Sequence, residues 1–494
     1  MYVFDMDGAD DARRTLVASL AGVVARTSPE VHMAHRRSEP SGDPEFWLDR
    51  HVENNPATAV VWRNDPSWFV ERYAPKLKGY VVYNDETINH ATSVAGAADA
   101  VMVHESQLAG PLRRALSLAG LDELADVRGR SYDWVYDNFT FNRDVIFRQQ
   151  SSKKYEVRSY AVLTNGFVFD AAGAARDRFL AGQNDHSVVL GWGHNNSEAE
   201  FFQSAAENNL TTVPADFLRS AAAPSRWEVE LPPRPAKADP TTPTSRNSHY
   251  VAFVMSDGDN AQWLTGSFAR DGRWFGSPHR GTFPMTFDLT PEISAINATA
   301  LKYFYDEAAG DRSPTTFVTA GGRGINYPSQ QTDPIGYAMA TAAAMARIDH
   351  NVVSVLDVVY DTQVLNALAS QPEIDGVMFK THADAYAGNN GATYWHRGTP
   401  IASVRYTLWD GFETPNSLVD KLNKAPRDPL NDVASYSIVN VHPWSVGKAG
   451  GAQGDPMSNL AYIVANLSPG VEVVTLDELF VHLRNNREGL GGAD

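Results

Sequence analysis

The apolar and polar positions of the chain follow two successive rhythms. YVFDM, the helically spaced apolar residues of DDARRTLVASLAGVVAR, and EVHMA read as strand, helix, strand. ATAVVW, GYVVYND and DAVMVHE continue the alternation, with helical stretches over 43–54 and 111–119. The pattern predicts a small α/β sheet over 1–130. A second small α/β unit is expected over 131–230, with SYAVLTNGFVFD and SVVLGWGH as strands and SEAEFFQSAAENN as a helix.

The segment 231–248, LPPRPAKADPTTPTSRNS, loses every large apolar residue after its first position and reads as an extended Pro-rich linker. Beyond it the rhythm becomes regular. HYVAFVMSDGDN, TFPMTFDL, TTFVTAGG, VVSVLDVV, DGVMFKTHAD, IASVRYTLWD and SYSIVNVHPW are apolar runs, mostly separated by helical segments, and VEVVTL leads into a last helix, DELFVHLR. Seven or eight such units over 249–494 predict a C-terminal (β/α)7–8 TIM-like barrel preceded by the small N-terminal α/β domains. An open doubly wound sheet is the alternative that the same alternation permits.

In such a barrel the carboxyl ends of the strands converge on one mouth, and here nearly every run ends in chemically able residues. The first ends in Ser256, Asp257, Gly258, Asp259 and Asn260, the second in Asp288, the third in a glycine loop, and the fourth in Asp357. The fifth offers Lys380, Thr381, His382 and Asp384, the sixth Arg405, Trp409 and Asp410, and the seventh Asn440, His442 and Trp444. A lone Asp or Asn at such a place is commonly a helix cap. Capping accounts neither for the two histidines nor for the tryptophans beside them.

Asp257 and Asp259 would point the same way from an extended strand end, and like charges that close raise one carboxyl's pKa. Paired carboxyls are what glycosidic hydrolysis requires, so Asp257, Asp259 and Asp357 are the candidate catalytic residues. Asp288, Asp384 and Asp410 are alternatives for the second carboxyl. A carboxylate with His382 and His442 could instead hold a water-activating metal, although no His-x-x-x-His pair accompanies them. No metal or other cofactor is expected.

Composition narrows the reading. The chain of 494 residues carries 42 basic against 59 acidic side chains, a net charge of −17 that disfavours nucleic acid or an anionic membrane as partner. With no cysteine, thiolate catalysis, disulfides and Cys-ligated metals are out. Its 11 Trp, 19 Tyr and 22 Phe often stand near Gly, Asn and Asp, a placement that suits stacking on sugar faces. No nucleophile elbow and no phosphate-binding P-loop motif occur. Oligomeric state is not legible.

The glycine loop TAGGRGINYPS, 319–329, has Tyr327 where a dinucleotide fingerprint needs its third glycine, and Pro328 follows directly. A pyrophosphate cradle is thereby excluded. Gly322, Gly324 and Tyr327 are expected instead to let backbone approach a ligand and to wall the site. The run GRGINYP, 322–328, resembles the signature of the GxGYxYP putative glycoside hydrolases, with Ile325 in place of the signature's first Tyr. The N-terminal strand–helix–strand pattern and SDGDN are also similar to that family. The resemblance implies several small α/β pieces before a barrel-like domain, a polysaccharide or oligosaccharide substrate, and a bacterial, secreted or extracytoplasmic setting whose signal is absent or trimmed here. More distantly, SDGDN and NVHPW resemble strand ends of barrel-type polysaccharide deacetylases, whose paired histidines this chain lacks.

The function expected from the sequence is hydrolysis of glycosidic bonds by carboxylate acid–base catalysis. Substrate contacts are expected from Asn260, Asp288, Gly322, Gly324, Tyr327, His382, Asp384, Arg405, Trp409, Asp410, His442 and Trp444. A metal-dependent deacetylase and a non-catalytic glycan-binding protein are the alternatives.

Overall fold

The computed structural model describes residues 1–36, 43–191, 198–382, 386, 388–447 and 454–492. It divides into two compact units, Met1–Glu230 with Ser294–Ala300, and Leu231–Ile293 with Leu301–Asp494.

The first unit carries three small parallel sheets. Strands β1 (Tyr2–Asp5), β2 (Val31–Ala34) and β3 (Val61–Arg63) lie in the order β2-β1-β3. Strands β4 (Gly79–Tyr83), β5 (Ala100–His104) and β6 (Glu123–Asp126) lie in the order β5-β4-β6. Strands β7 (Val145–Arg148), β8 (Phe167–Phe169), β9 (Val188–Leu190) and β10 (Thr211–Val213) lie in the order β10-β9-β7-β8. Helix Asp11–Ala25 follows β1, its first turn capped by the Asp10 carboxylate, which accepts from the Arg13 amide. Every residue of 15–25 is buried, so this helix is core on all sides.

One expected strand is half helix. SYAVLT forms the helix Arg158–Thr164, closed by Asn165 in the left-handed region at φ 54°, and only FVF is a strand. A run this short shows no period of its own; the Asn165-Gly166 pair is the stop signal that separates helix from strand.

The second unit is built on one strongly curled, half-barrel sheet. Its strands are β11 (His249–Met255), β12 (Met285–Leu289), β13 (Thr315–Ala320), β14 (Val352–Asp357), β15 (Gly376–Thr381), β16 (Thr393–His396), β17 (Thr399–Ser403), β18 (Tyr406–Leu408), β19 (Tyr436–Val441) and β20 (Val471–Val474). The order is β16-β17-β15-β14-β13-β12-β11-β19-β18, with β20 paired to β11. Pairing is parallel except in the β16–β17 hairpin.

This departs from a regular (β/α)7–8 barrel at IASVRYTLWD. In place of one strand, the run is two short ones with different neighbours. Residues 401–403 pair with β15 and 406–408 with β19. At the break, the Val404 amide donates to the Phe379 carbonyl and the Arg405 amide to the Ile438 carbonyl, each at 2.9 Å.

Strand alternation sorts the two faces. Tyr250, Ala252, Val254, Met378, Tyr436 and Ile438 pack together with Leu476, Leu479 and Phe480 of the last helix, Leu476–Asn485. On the other face Val353, Val355, Val377 and Phe379 pack against helices Pro334–Arg347 and Thr362–Ala369. Burying each such side chain contributes about 1.5–3 kcal/mol. The Pro-rich stretch joins this core through Arg234, which is 3% exposed and pairs with Asp477 while donating to Asn351 at 2.6 Å. Among the described residues no helix is long and apolar enough to cross a membrane.

Candidate active site

The parallel strands of the second unit deliver their carboxyl ends to one side, and the turn after β11 is tightly built. Asp257 sits in the left-handed region at φ 68°, where an ordinary side chain is strained and Asp is among the few tolerated. Gly258 is obligatory by contact: a Cβ there would lie 1.7 Å from the Asp288 carbonyl oxygen. The Thr290 amide donates to the Gly258 carbonyl at 2.7 Å, and the Ser256 amide to Val441 at 3.1 Å. The turn is thus stitched to the strands on either side of it.

Asp257 and His442 face one another across that stitch. His442 Nε2 lies 3.6 Å from Asp257 Oδ2, and His442 Nδ1 accepts a 3.3 Å hydrogen bond from the Trp444 amide. A backbone N–H can only donate, so the neutral imidazole carries its proton on Nε2, toward Asp257. Burial holds the His442 pKa below its ordinary value, against the pull of the Asp257 charge. Asp257 Oδ1 is buried and has no hydrogen-bond partner among the described residues.

Asp259 is partly buried in the same turn. Its pKa is pushed up to about 8, first by burial and then by the adjacent Asp257 charge, with Lys380 opposing. Lys380 itself pairs with Asp288 at 2.7 Å in a fully buried bridge, and burial raises the Asp288 carboxyl while Lys380 lowers it. Asp288 therefore holds Lys380 beneath the site, where the ammonium acts on both Asp259 and His442.

The glycine loop is held from inside the protein. Gly321 and Gly322 have φ 56° and 84°, and a Cβ on Gly321 would come within 1.9 Å of the Gly324 carbonyl oxygen. A Cβ on Gly322 would meet the Tyr337 hydroxyl at 2.3 Å. Tyr327 is 1% exposed and its hydroxyl is hydrogen-bonded to His382 Nδ1, so it orients an imidazole and has no free face for a sugar. Asp357, a candidate catalytic carboxylate, spends its oxygens on this loop. Oδ2 accepts from the Ser329 amide at 2.7 Å, and Oδ1 from the Ser329 hydroxyl at 2.6 Å and the Val358 amide at 2.7 Å. Burial nevertheless pushes it up to about 6, the hydrogen bonds opposing.

Aromatic rings line the side formed by β18 and β19. Trp409 stacks on His442 with centroids 3.5 Å apart and planes 7° from parallel. Tyr386 lies 5.8 Å from Trp409 and 5.3 Å from His442, with Lys380 Nζ 5.5 Å from its ring. Trp444 is 44% exposed and rests edge-on to Trp274. Trp263, Trp274 and Tyr386 were not among the expected residues. Trp263 follows SDGDN by only three positions, a nearness in the chain that offered a signal.

Other expected residues are placed differently. Asn260 caps helix Ala261–Leu264 through a 3.1 Å bond from the Trp263 amide. Asp410 is exposed and accepts from the Gly447 amide at 2.8 Å. Arg405 turns away from the carboxyl ends: its guanidinium donates to the carbonyl of Tyr436, the first residue of β19, at 3.3 Å. A residue at a break between strands need not follow their alternation, which is why the pattern misplaced it. Asp384 lies outside the described residues. Among those described, no three His, Asp or Glu side chains are grouped so as to hold a metal ion.

Fold and site together define a mixed α/β protein with acid–base side chains and indoles gathered at the carboxyl ends of a curled parallel sheet. The chain belongs to the GxGYxYP putative glycoside hydrolase family. The family's C-terminal domain matches residues 247–484, its second N-terminal domain 77–143 and its third domain 143–224. In the family signature, this chain's Ile325 is buried at 8% exposure. A crystal structure described as a putative hydrolase from Bacteroides thetaiotaomicron VPI-5482 is similar in fold, with TM-score 0.81, 22% identity, and 98% of this chain and 94% of that chain covered. A 4-alpha-glucanotransferase from Thermococcus litoralis matches over 47% of this chain and 38% of that chain, at 11% identity and TM-score 0.27, too distantly to carry an argument. No curated protein matches.

Proposed function

We propose that this chain hydrolyses glycosidic bonds of an oligosaccharide or polysaccharide, with Asp259 as proton donor and Asp257 as the second carboxylate. The observation that carries this reading is the turn that holds two carboxyls beside His442, where burial and then the Asp257 charge push the Asp259 carboxyl up to about 8. A glycosidic oxygen leaves poorly until it is protonated, and a carboxyl still protonated at neutral pH can supply that proton. Asp257 then serves as base toward water or as nucleophile. His442 lies 3.6 Å from Oδ2, so the histidine acts as a positioning residue. Trp444, exposed at the edge of the site, offers an indole face for stacking on sugar.

Asp257→Asn and Asp259→Asn, assayed on a panel of aryl glycosides and oligosaccharides, test the assignment. Each is expected to lose about 10²–10⁴-fold in kcat, the usual contribution of a positioned acid or base. Full activity in both variants would overturn it.

A further inference from the structure

The change of neighbour at Val404 and Arg405 decides what stands at the far end of β18. β17 stays with β15, whereas β18 runs parallel to β19, and the last pair in register is Leu408 with Val441. The His442 amide then donates to the Leu408 carbonyl at 3.1 Å, so the ladder continues one step past the strands and sets Trp409 beside His442. Residues opposite one another on a ladder share a face, and here the indole and the imidazole lie 3.5 Å apart and 7° from parallel. The indole is itself anchored. The Phe412 amide closes a turn onto the Trp409 carbonyl and the Glu413 amide donates to the Thr407 carbonyl, each at 3.0 Å.

His442 is 3% exposed, and the contacts at its ring edge leave it one freedom. The Trp444 amide reaches Nδ1 at 3.3 Å, and Nε2 stands 3.6 Å from Asp257 Oδ2. Both approaches are long for hydrogen bonds, and the last side-chain torsion of a histidine is broad. Edge contacts of that length do not stop the ring from swinging. A flat neighbour at 3.5 Å does, because any swing drives ring atoms into the indole. The same stack occupies a face of Trp409, which is the surface that sugar stacking uses.

Resting on the reading that makes Asp257 the second carboxylate, we infer that Trp409 is a positioning residue: it fixes the plane of the His442 imidazole so that the proton on Nε2 stays directed at Asp257. Its contribution falls on kcat, and stacking on sugar is left to Trp444, which is 44% exposed.

Kinetics separate the two roles that an indole can have. In Trp409→Leu, kcat is expected to fall roughly 2- to 13-fold on aryl glycosides and oligosaccharides alike, with KM unchanged, and Trp409→Phe, which restores a flat face, to recover most of it. A sugar platform gives the reverse, an intact kcat and a KM that rises with the length of the oligosaccharide. That result overturns the inference, as does no change in either constant. A second readout needs no turnover. In protein carrying histidine labelled for nitrogen NMR, the His442 signals are assigned by their absence from His442→Gln. They are expected to show one tautomer, protonated on Nε2, in the wild type and Trp409→Phe, and an average of both tautomers in Trp409→Leu. A folded Trp409→Leu that keeps the single tautomer overturns the inference. Where circular dichroism shows Trp409→Leu unfolded, Trp409→Met, flexible enough to fill the same space, takes its place. A wild type that turns over no glycoside, yet whose His442 tautomer depends on Trp409, leaves the positioning role standing while the hydrolase assignment falls.

Discussion

Nε2 of His442 lies 3.6 Å from Oδ2 of Asp257, while the opposite ring nitrogen is committed to the amide of Trp444. The tautomer is therefore set by the backbone two residues further along. His442→Gln keeps a donor but loses the ring stacked on Trp409. A stacked aromatic pair is worth about 0.5–1.5 kcal/mol, so kcat/KM is expected to fall roughly 2- to 13-fold. Steady-state kinetics on the best substrate of the panel checks it.

The raised carboxyl of Asp259 predicts an alkaline limb. With Asp259 as the proposed proton donor, activity should be lost as pH rises through about 8. Lys380 holds that value down, so Lys380→Met should move the limb to higher pH. The stability effect has the same sign: a folded-state pKa above the ordinary 3.8 gives a contribution present below that value and lost as pH rises through about 8. Asp259→Asn should consequently be more stable than the wild type at pH 9, and indistinguishable from it near pH 4, in urea titrations.

Lys380→Met also strands Asp288 in the interior. Removing one partner of a buried pair costs about 3–5 kcal/mol, whereas replacing both with apolar residues is often neutral. Chemical denaturation should show a large loss for Lys380→Met and substantial recovery in the Lys380→Met, Asp288→Leu double variant. An unperturbed single variant would show that the bridge is not buried in solution.

Asp357 and Gly258 make contrasting structural predictions. Asp357→Ala releases Ser329 and Val358 and should cost about 1–3 kcal/mol of stability, with KM rising more than kcat falls. A kcat loss as deep as that of Asp259→Asn would return Asp357 to the reaction itself. Gly258→Ala places a methyl group 1.7 Å from the Asp288 carbonyl and should cost about 3 kcal/mol or more, with activity lost because Asp257 and Asp259 flank it. Thermal melts and kinetics read both.

The strand ends of the second unit were legible because each apolar run there terminates in residues that a buried strand cannot hold. SDGDN, His442 and Trp409 therefore came together as the pattern implied. What the pattern could not show is which side of a strand end each residue takes. Tyr327 is adjacent to Pro328 in a loop that looks like a wall, yet it is turned inward onto His382. Asp357 ends a strand like Asp257 and Asp288, but two donors on Ser329 and one on Val358 claim it. Asn440 stands in the run SYSIVNV, and only the structure shows that its amide is buried with no hydrogen-bond partner among the described residues. In the first unit, SYAVLT is a helix too short for its buried Ala161, Val162 and Leu163 to show a helical period.

The segment 399–408 gives two adjacent amides opposite allegiances, Val404 to β15 and Arg405 to β19. Lys380 rides on the first of those strands, and His442 directly follows the second. The Val404 amide thus meets the carbonyl just before Lys380, and the Arg405 amide one in the strand that leads to His442, so this one peptide is a tie between the two strands that carry them. A proline at position 405 abolishes one of the two donors and is expected to weaken the tie to β19.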